Sequence, residues 1–190
     1  MLKCTEDRYA TFSIALHWLM FILMVGVYAF IELRELFPKG SDPREAMKAL
    51  HFMLGLSVLV LILPRLIVRL RSGTPAIVPA PPAWQRLAAK LAHLALYLIM
   101  LGMPVLGWLT LSAAGKPIPF YGFELPALLP EDKALGKSLK ELHATIGELG
   151  YFLIGLHIIA ALFHHYKQRD NTLVRMLPAG KSDTRTPRQS

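Results

Sequence analysis

The chain has 190 residues, 54% of them apolar, with a mean hydropathy of +0.42 and a formal net charge of +8. This is not the make-up of a soluble domain: four apolar stretches long enough to span a bilayer use most of the length and leave no room for a separate soluble catalytic module. The positive charge does not point to nucleic acid, because it is distributed along the chain as membrane topology would distribute it.

The expected spans are Phe12–Leu33, Ala46–Leu70, Leu87–Ser112 and Leu139–Lys167. They predict an all-α integral membrane four-helix bundle over residues 1–178, followed by a disordered tail over 179–190. Lys3 and Arg8 precede the first span, Arg65, Arg69, Arg71, Arg86 and Lys90 surround the second connection, and further basic residues fill the tail. Most acidic residues instead lie in or beside the first and third connections. The positive-inside rule then puts both termini in the cytoplasm. Cys4 is the single cysteine, so no internal disulfide forms. The N-terminus resembles a signal peptide, but its apolar run is too long and no small-residue cleavage site follows, so it is expected to be an uncleaved first span.

Thr11 or Ser13 is expected to cap the first span, which carries His17 beside Trp18 two turns into its cytoplasmic half. Asp42-Pro43-Arg44-Glu45 reads as the start of the second helix, with Asp42 as cap. His51 follows two turns later in the periplasmic half, and Gly55 one turn beyond leaves space for a flat, bulky group or for close helix packing. LPRLIVRLR closes this span, its arginines expected to snorkel into the headgroups. A proline-rich connector leads to the third span, where His93 sits one turn after Lys90 and Pro104 bends the helix. The long third connection carries prolines, Phe120, Tyr121 and Phe123 and is expected to lie over the membrane surface as a lid. Ser138 and Glu141 form a capping box for the fourth span, and TLVRMLP after it is expected to lie along the interface.

The chemistry is carried by four histidines. His143 and His157 are fourteen residues apart on the fourth span. On an α-helix that is just under four turns, which leaves both rings on nearly one face about 20 Å apart along the axis. With the topology above, His51 and His143 share the periplasmic half and His17 and His157 the cytoplasmic half. Any one of them alone reads as a packing or interfacial histidine, but four at matching depths read as two cross-helix pairs. Zinc would need three or four converging ligands, whereas a haem iron takes imidazoles from two sides of its macrocycle. Two stacked bis-histidine haems therefore account for all four positions. No Cys-x-x-Cys-His is present, so covalent attachment is excluded and the haem is expected to be b-type.

Several residues remain. His164 and His165 read as interfacial histidines or, with His93 and Lys90, as a polar cluster that hydrogen-bonds a quinone. Glu148 is an intramembrane acid expected to face away from His143. Trp18, Trp84 and Trp108 read as interfacial belt residues. Lys116, Lys133, Lys137 and Lys140 read as solvated loop charges that can also attract a small anion. No Walker loop, zinc-protease motif, dinucleotide fingerprint or catalytic triad is present.

From about Tyr9 to Pro178 the sequence resembles the bacterial cytochrome b561 family, through IALHWLM, GELGYFLIGLHIIAALFHHY and DNTLVRMLP, with ALHFMLG and ELHATIG at the other ligand positions. The resemblance implies two haem b groups ligated by His17, His51, His143 and His157 in the bacterial inner membrane. Within the family the chain resembles the superoxide oxidase branch. That resemblance implies oxidation of superoxide to O2 at the periplasmic side and transfer of electrons through the haems to ubiquinone. Lys116, Lys133, Lys137 and Lys140 are then steering candidates for superoxide, and His93, Lys90, His164 and His165 quinone-side candidates. The runner-up is a cytochrome b electron-transfer subunit of a hydrogenase- or formate-dehydrogenase-like complex, whose periplasmic loops dock an iron–sulfur partner protein. A non-redox membrane scaffold or transporter is the third expectation.

Overall fold

The computed structural model describes Thr5 and residues 7–178; Cys4 and the expected tail over 179–190 lie outside the described residues. Four helices long and apolar enough to cross a membrane make up the body. They are α1 (Thr11–Leu33), α2 (Asp42–Arg71), α3 (Ala83–Ala113) and α4 (Lys133–Phe163). Large apolar side chains such as Ile22 (64%), Leu98 (61%) and Phe152 (77%) are exposed, as a surface facing lipid rather than water requires.

The helix starts differ from expectation in three places. Ala10 caps α1 with no side-chain bond, because Ser13 is buried inside the helix and Thr11 already belongs to it. Ser41 precedes α2, leaving Asp42 and Pro43 as its first helical residues. The third difference, at α4, is the largest. Asp132 accepts hydrogen bonds from the backbone N–H groups of Ala134 and Leu135, both at 3.0 Å, so the helix begins at Lys133 and not at Leu139. The Asp132 N–H in turn donates to Ala113 O at 2.9 Å, and Gly136 lets the new first turn press on the backbone of Ala113 and Ala114. Lys133, Lys137 and Lys140 therefore stand on a helix rather than in a loop.

α1 packs on α2, α2 on α3 and α3 on α4, while α4 has no comparable backbone packing on α1 or α2. The bundle is thus two helical hairpins with a gap between α4 and the α1–α2 pair. Met20, Val58 and Ile62 form one buried cluster, with Met24, Tyr97 and Met100 packed against it, and Leu56, Leu111 and Ile118 form another. Tyr28 crosses the gap, donating to Gly147 O at 3.0 Å, and a Cβ at Gly150 would collide with its hydroxyl.

Both described chain ends meet at one end of the bundle, here the terminal end. The tail straps this end of the bundle. Tyr9 N–H donates to Arg175 O at 3.2 Å, and Trp18 Nε1–H donates to Met176 O at 2.7 Å. Asn171 accepts from Val78 N–H at 3.0 Å and donates to Ala76 O at 3.2 Å, and Arg175 donates to Pro75 O. Arg69 and Arg175 lie 5.2 and 5.4 Å from the Tyr9 ring. At the opposite end, Pro119–Phe120 pairs with Phe123–Glu124 in a small hairpin whose turn residues Tyr121 and Gly122 have φ of 47° and 89°. The Tyr121 hydroxyl meets Ser57 Oγ at 3.0 Å, which seats this hairpin over α2.

Candidate functional site

Because α4 holds His143 and His157 on one face, both rings look into the gap, and each meets a histidine from the facing hairpin. The ring centroids of His51 and His143 are 6.2 Å apart, and those of His17 and His157 are 6.3 Å apart. Two metal–nitrogen bonds of about 2 Å each, plus the reach of each ring, come to about that separation. His51 Nδ1 lies 2.8 Å from Val27 O; a carbonyl only accepts, so Nδ1 carries the proton and leaves Nε2 free. His143 Nδ1 is buried with no hydrogen-bond partner among the described residues.

The space beside the His51–His143 pair is a cavity of about 600 Å³ lined by both rings and by Gly55, Gly107 and Gly147. A Cβ at Gly55 would meet nothing within 4 Å, whereas at Gly107 it would stand 3.3 Å from His143 Cε1. Gly55 thus opens the space, and Gly107 lets α3 approach the His143 ring. Among the described residues no three His, Cys, Asp or Glu side chains converge as a metal site. A metal gripped by only two facing imidazoles needs its remaining ligands from a flat macrocycle, and the paired rings and glycine-lined cavity fit haem on that ground.

The other sequence-derived candidates separate. His93 on α3 comes within 5.5 Å of the His157 ring. His164 is held by Asp170, with Nδ1 2.5 Å from Oδ2. Burial alone would push Asp170 up, but hydrogen bonds from His164 and Thr172 outweigh it and hold the carboxyl below its ordinary range. His165 packs on Tyr166 at 4.8 Å, and Lys90 is exposed on α3. Lys116, Lys137 and Lys140 line the cavity, but Lys133 does not; it is 86% exposed and pairs with Glu131 at 3.6 Å.

Two expectations are corrected here. Glu148 lines the same cavity as His143 instead of facing away from it, because the space is wide enough to reach both flanks of α4. Arg65 does not snorkel outward: its guanidinium turns in to Ser13 O at 3.4 Å and His17 Nδ1 at 3.0 Å. Sequence reasoning also passed over Lys48 and Arg34, which line the cavity, and the Tyr28, Tyr151 and Glu32 group on its flank. Lys48 and Arg34 fall on the hairpin-end side of α2 and α1, a signal that the helical register already carried.

A family model described as prokaryotic cytochrome b561 matches residues 8–179. The chain belongs to this family. It is 42% identical over 175 residues to cytochrome b561 homolog 1 of Escherichia coli (strain K12), covering 92% of this chain and 99% of that protein. It is also 36% identical over 173 residues to the probable superoxide oxidase CybB of Yersinia pestis, covering 91% and 97%. Identity to cytochrome b562 of Cereibacter sphaeroides is 31% over 176 residues, covering 90% and 96%. As a cytochrome b561 the chain is a bacterial membrane electron-transfer protein with b-type haem, which removes the non-redox scaffold or transporter.

Proposed function

We propose that this cytochrome b561 is a superoxide:quinone oxidoreductase of the bacterial inner membrane, with one b-type haem at each histidine level. The observation that supports this most directly is the pair of facing imidazole couples, 6.2 and 6.3 Å across, at two depths of one gap. His51 with His143 and His17 with His157 would hold the two groups, and b-type haem supplies one-electron redox chemistry when bound. The similarity to a relative named as a probable superoxide oxidase supports the reaction.

In this reading the hairpin end faces the periplasm and the terminal end the cytoplasm, as the positive-inside asymmetry favours. Lys116, Lys137 and Lys140, joined by Lys48 and Arg34, put a positive rim on the cavity and raise the local concentration of a small anion such as superoxide. Lys133, paired and outside the cavity, is not part of that rim. Around His157, His93 is the donor to a quinone carbonyl entering from the lipid, with Lys90, His164 and His165 as outer groups. The balance is simple. Two superoxide anions lose one electron each and leave as two O2, and one quinone takes both electrons with two protons to become the quinol.

The test is to add superoxide to the purified, haem-loaded protein with and without a short-chain ubiquinone. The reading expects the b-type bands to reduce without quinone, and one quinol to form per two superoxide consumed with it. Bands that stay oxidised at saturating superoxide would overturn it.

A further inference from the structure

We infer that Tyr28 is a positioning residue for the His51–His143 level: with Tyr151 and Glu32 it holds α4 at the separation that two imidazoles on one iron require. This rests on the two-haem reading above and concerns what keeps that ligand pair at its distance.

Neither α1 nor α2 packs its backbone on α4 as α3 does. The place of His143 opposite His51 is therefore set through α3 alone unless side chains bridge the gap. Among the described residues, two side-chain hydrogen bonds bridge it. Tyr28 Oη–H on α1 donates to Gly147 O on α4 at 3.0 Å, and Tyr151 Oη–H on α4 donates to Glu32 Oε1 on α1 at 2.9 Å. The two helices run in opposite directions, so these contacts cross, and the tyrosine rings pass with centroids 4.3 Å apart. Tyr28, Glu32 and Tyr151 all line the cavity beside the His51–His143 pair.

Consecutive residues of α1 thereby address both ligands. Val27 O accepts the Nδ1 proton of His51 at 2.8 Å, which orients that ring. Tyr28, the next residue, grips α4 one turn beyond His143. Gly150 makes room for the grip: a Cβ there would collide with the Tyr28 hydroxyl while standing 3.5 Å from Cζ, an ordinary contact. Metal–imidazole bonds of about 2 Å tolerate changes of only about 0.2 Å, so a larger drift of α4 opens the pair. The His17–His157 level has no such strut. Among the described residues no side-chain hydrogen bond joins α4 to α1 or α2 there, and Trp18 donates instead to Met176 O, beyond α4.

The experiment measures carbon monoxide binding to the reduced, haem-loaded protein, because an iron held by two imidazoles has no open position for it. Each variant is read in a His157→Ala background, which leaves the His51–His143 level, and in a His143→Ala background, which leaves the other. Tyr28→Phe keeps the ring and removes one hydrogen bond, so the reactive fraction at the His51–His143 level is expected to rise about tenfold. Gly150→Ala, whose Cβ displaces the hydroxyl, is expected to raise it further. Adding Tyr28→Phe to Gly150→Ala is expected to bring it back to the Tyr28→Phe value, since the collision is with the hydroxyl alone. Loss of haem from this level only would be the same effect carried further. The His17–His157 level is expected to stay unreactive throughout. With all four histidines kept, the same variants are expected to make at most half of the haem reactive, which serves if a histidine variant fails to load. A His51–His143 level that stays unreactive in both single variants would overturn the inference. So would an equal rise, or an equal loss of haem, at both levels, which would make the contact general packing. A wild-type protein holding one haem or none would instead overturn the two-level reading, and the inference with it.

Discussion

The two histidine levels share one design and differ in their surroundings. The hairpin level opens into a cavity of about 600 Å³ rimmed by lysines on α2, α4 and the connection after α3. The terminal level is crowded by His93 and Arg65 and closed by the strap that ties Trp18, Ala76 and Val78 to residues 171–176. A small anion needs only an approach and a positive field, and the first level offers that. A lipophilic two-electron acceptor needs donors beside the ligand and shelter from water, and the second offers those. In the proposed reading the ligand geometry is duplicated while the chemistry at each face is set by the next layer of residues.

The strongest way to break the comparison is to remove one ligand from each level. In the proposed reading His143→Ala and His157→Ala each lose about half of the reduced b-type absorbance, and the double variant loses nearly all of it. Haem content per polypeptide measures this. If either single variant abolishes all the absorbance while remaining folded by circular dichroism, the levels are not independent sites.

A smaller effect separates the levels by charge. Lys116→Glu with Lys140→Glu reverses two cavity-rim charges that form no ion pair among the described residues. The rate of superoxide-driven band reduction is expected to fall about tenfold at low salt. The wild-type rate is expected to approach that of the variant as ionic strength rises, since screening removes the advantage of the rim. The same reversal at Lys133, which lies outside the cavity, is expected to leave the rate unchanged. Stopped-flow traces across a salt series measure all three.

Much of this arrangement was legible in the sequence. The fourteen-residue spacing on α4 and the alternation of spans were enough to pair four histidines by depth, since helix geometry needs no tertiary information. The start of α4 was not legible, because the chain carries two cap signals, Asp132 and Ser138, and only contact with Ala113 decides between them. Ser138 instead returns its hydroxyl to Ala134 O at 3.2 Å inside the helix. Arg65 was read as a headgroup residue because every arginine in LPRLIVRLR is within reach of an interface. A long side chain can turn either way, and what turned this one inward is the carbonyl of Ser13 and the ring of His17 on another helix. Glu148 was misjudged for a related reason: a helical wheel gives its angle but not the width of the gap beside it.

The smallest expected effect concerns the strap. Asp170 accepts from His164 at 2.5 Å and from Thr172 N–H at 2.8 Å, and its side chain is 2% exposed. Asp170→Asn keeps the shape but removes the charge from both bonds, so the terminal end is expected to lose about 1–2 kcal/mol. The pH dependence follows from the sign of the carboxyl's shift. Hydrogen bonds from His164 and Thr172 outweigh burial and hold Asp170 below its ordinary value. The unfolded strap therefore binds this proton more readily than the folded one. The stabilisation is fully present above the unfolded value of about pH 4 and is lost as pH falls through the lower folded value. Thermal unfolding in detergent at pH 7 and near pH 3 is expected to show the gap between wild type and Asp170→Asn closing in acid. The hairpin end, which has no part in this contact, is expected to keep its His143-dependent haem absorbance at both pH values. A gap that stays constant from pH 7 to pH 3 would mean that Asp170 acts through packing rather than charge.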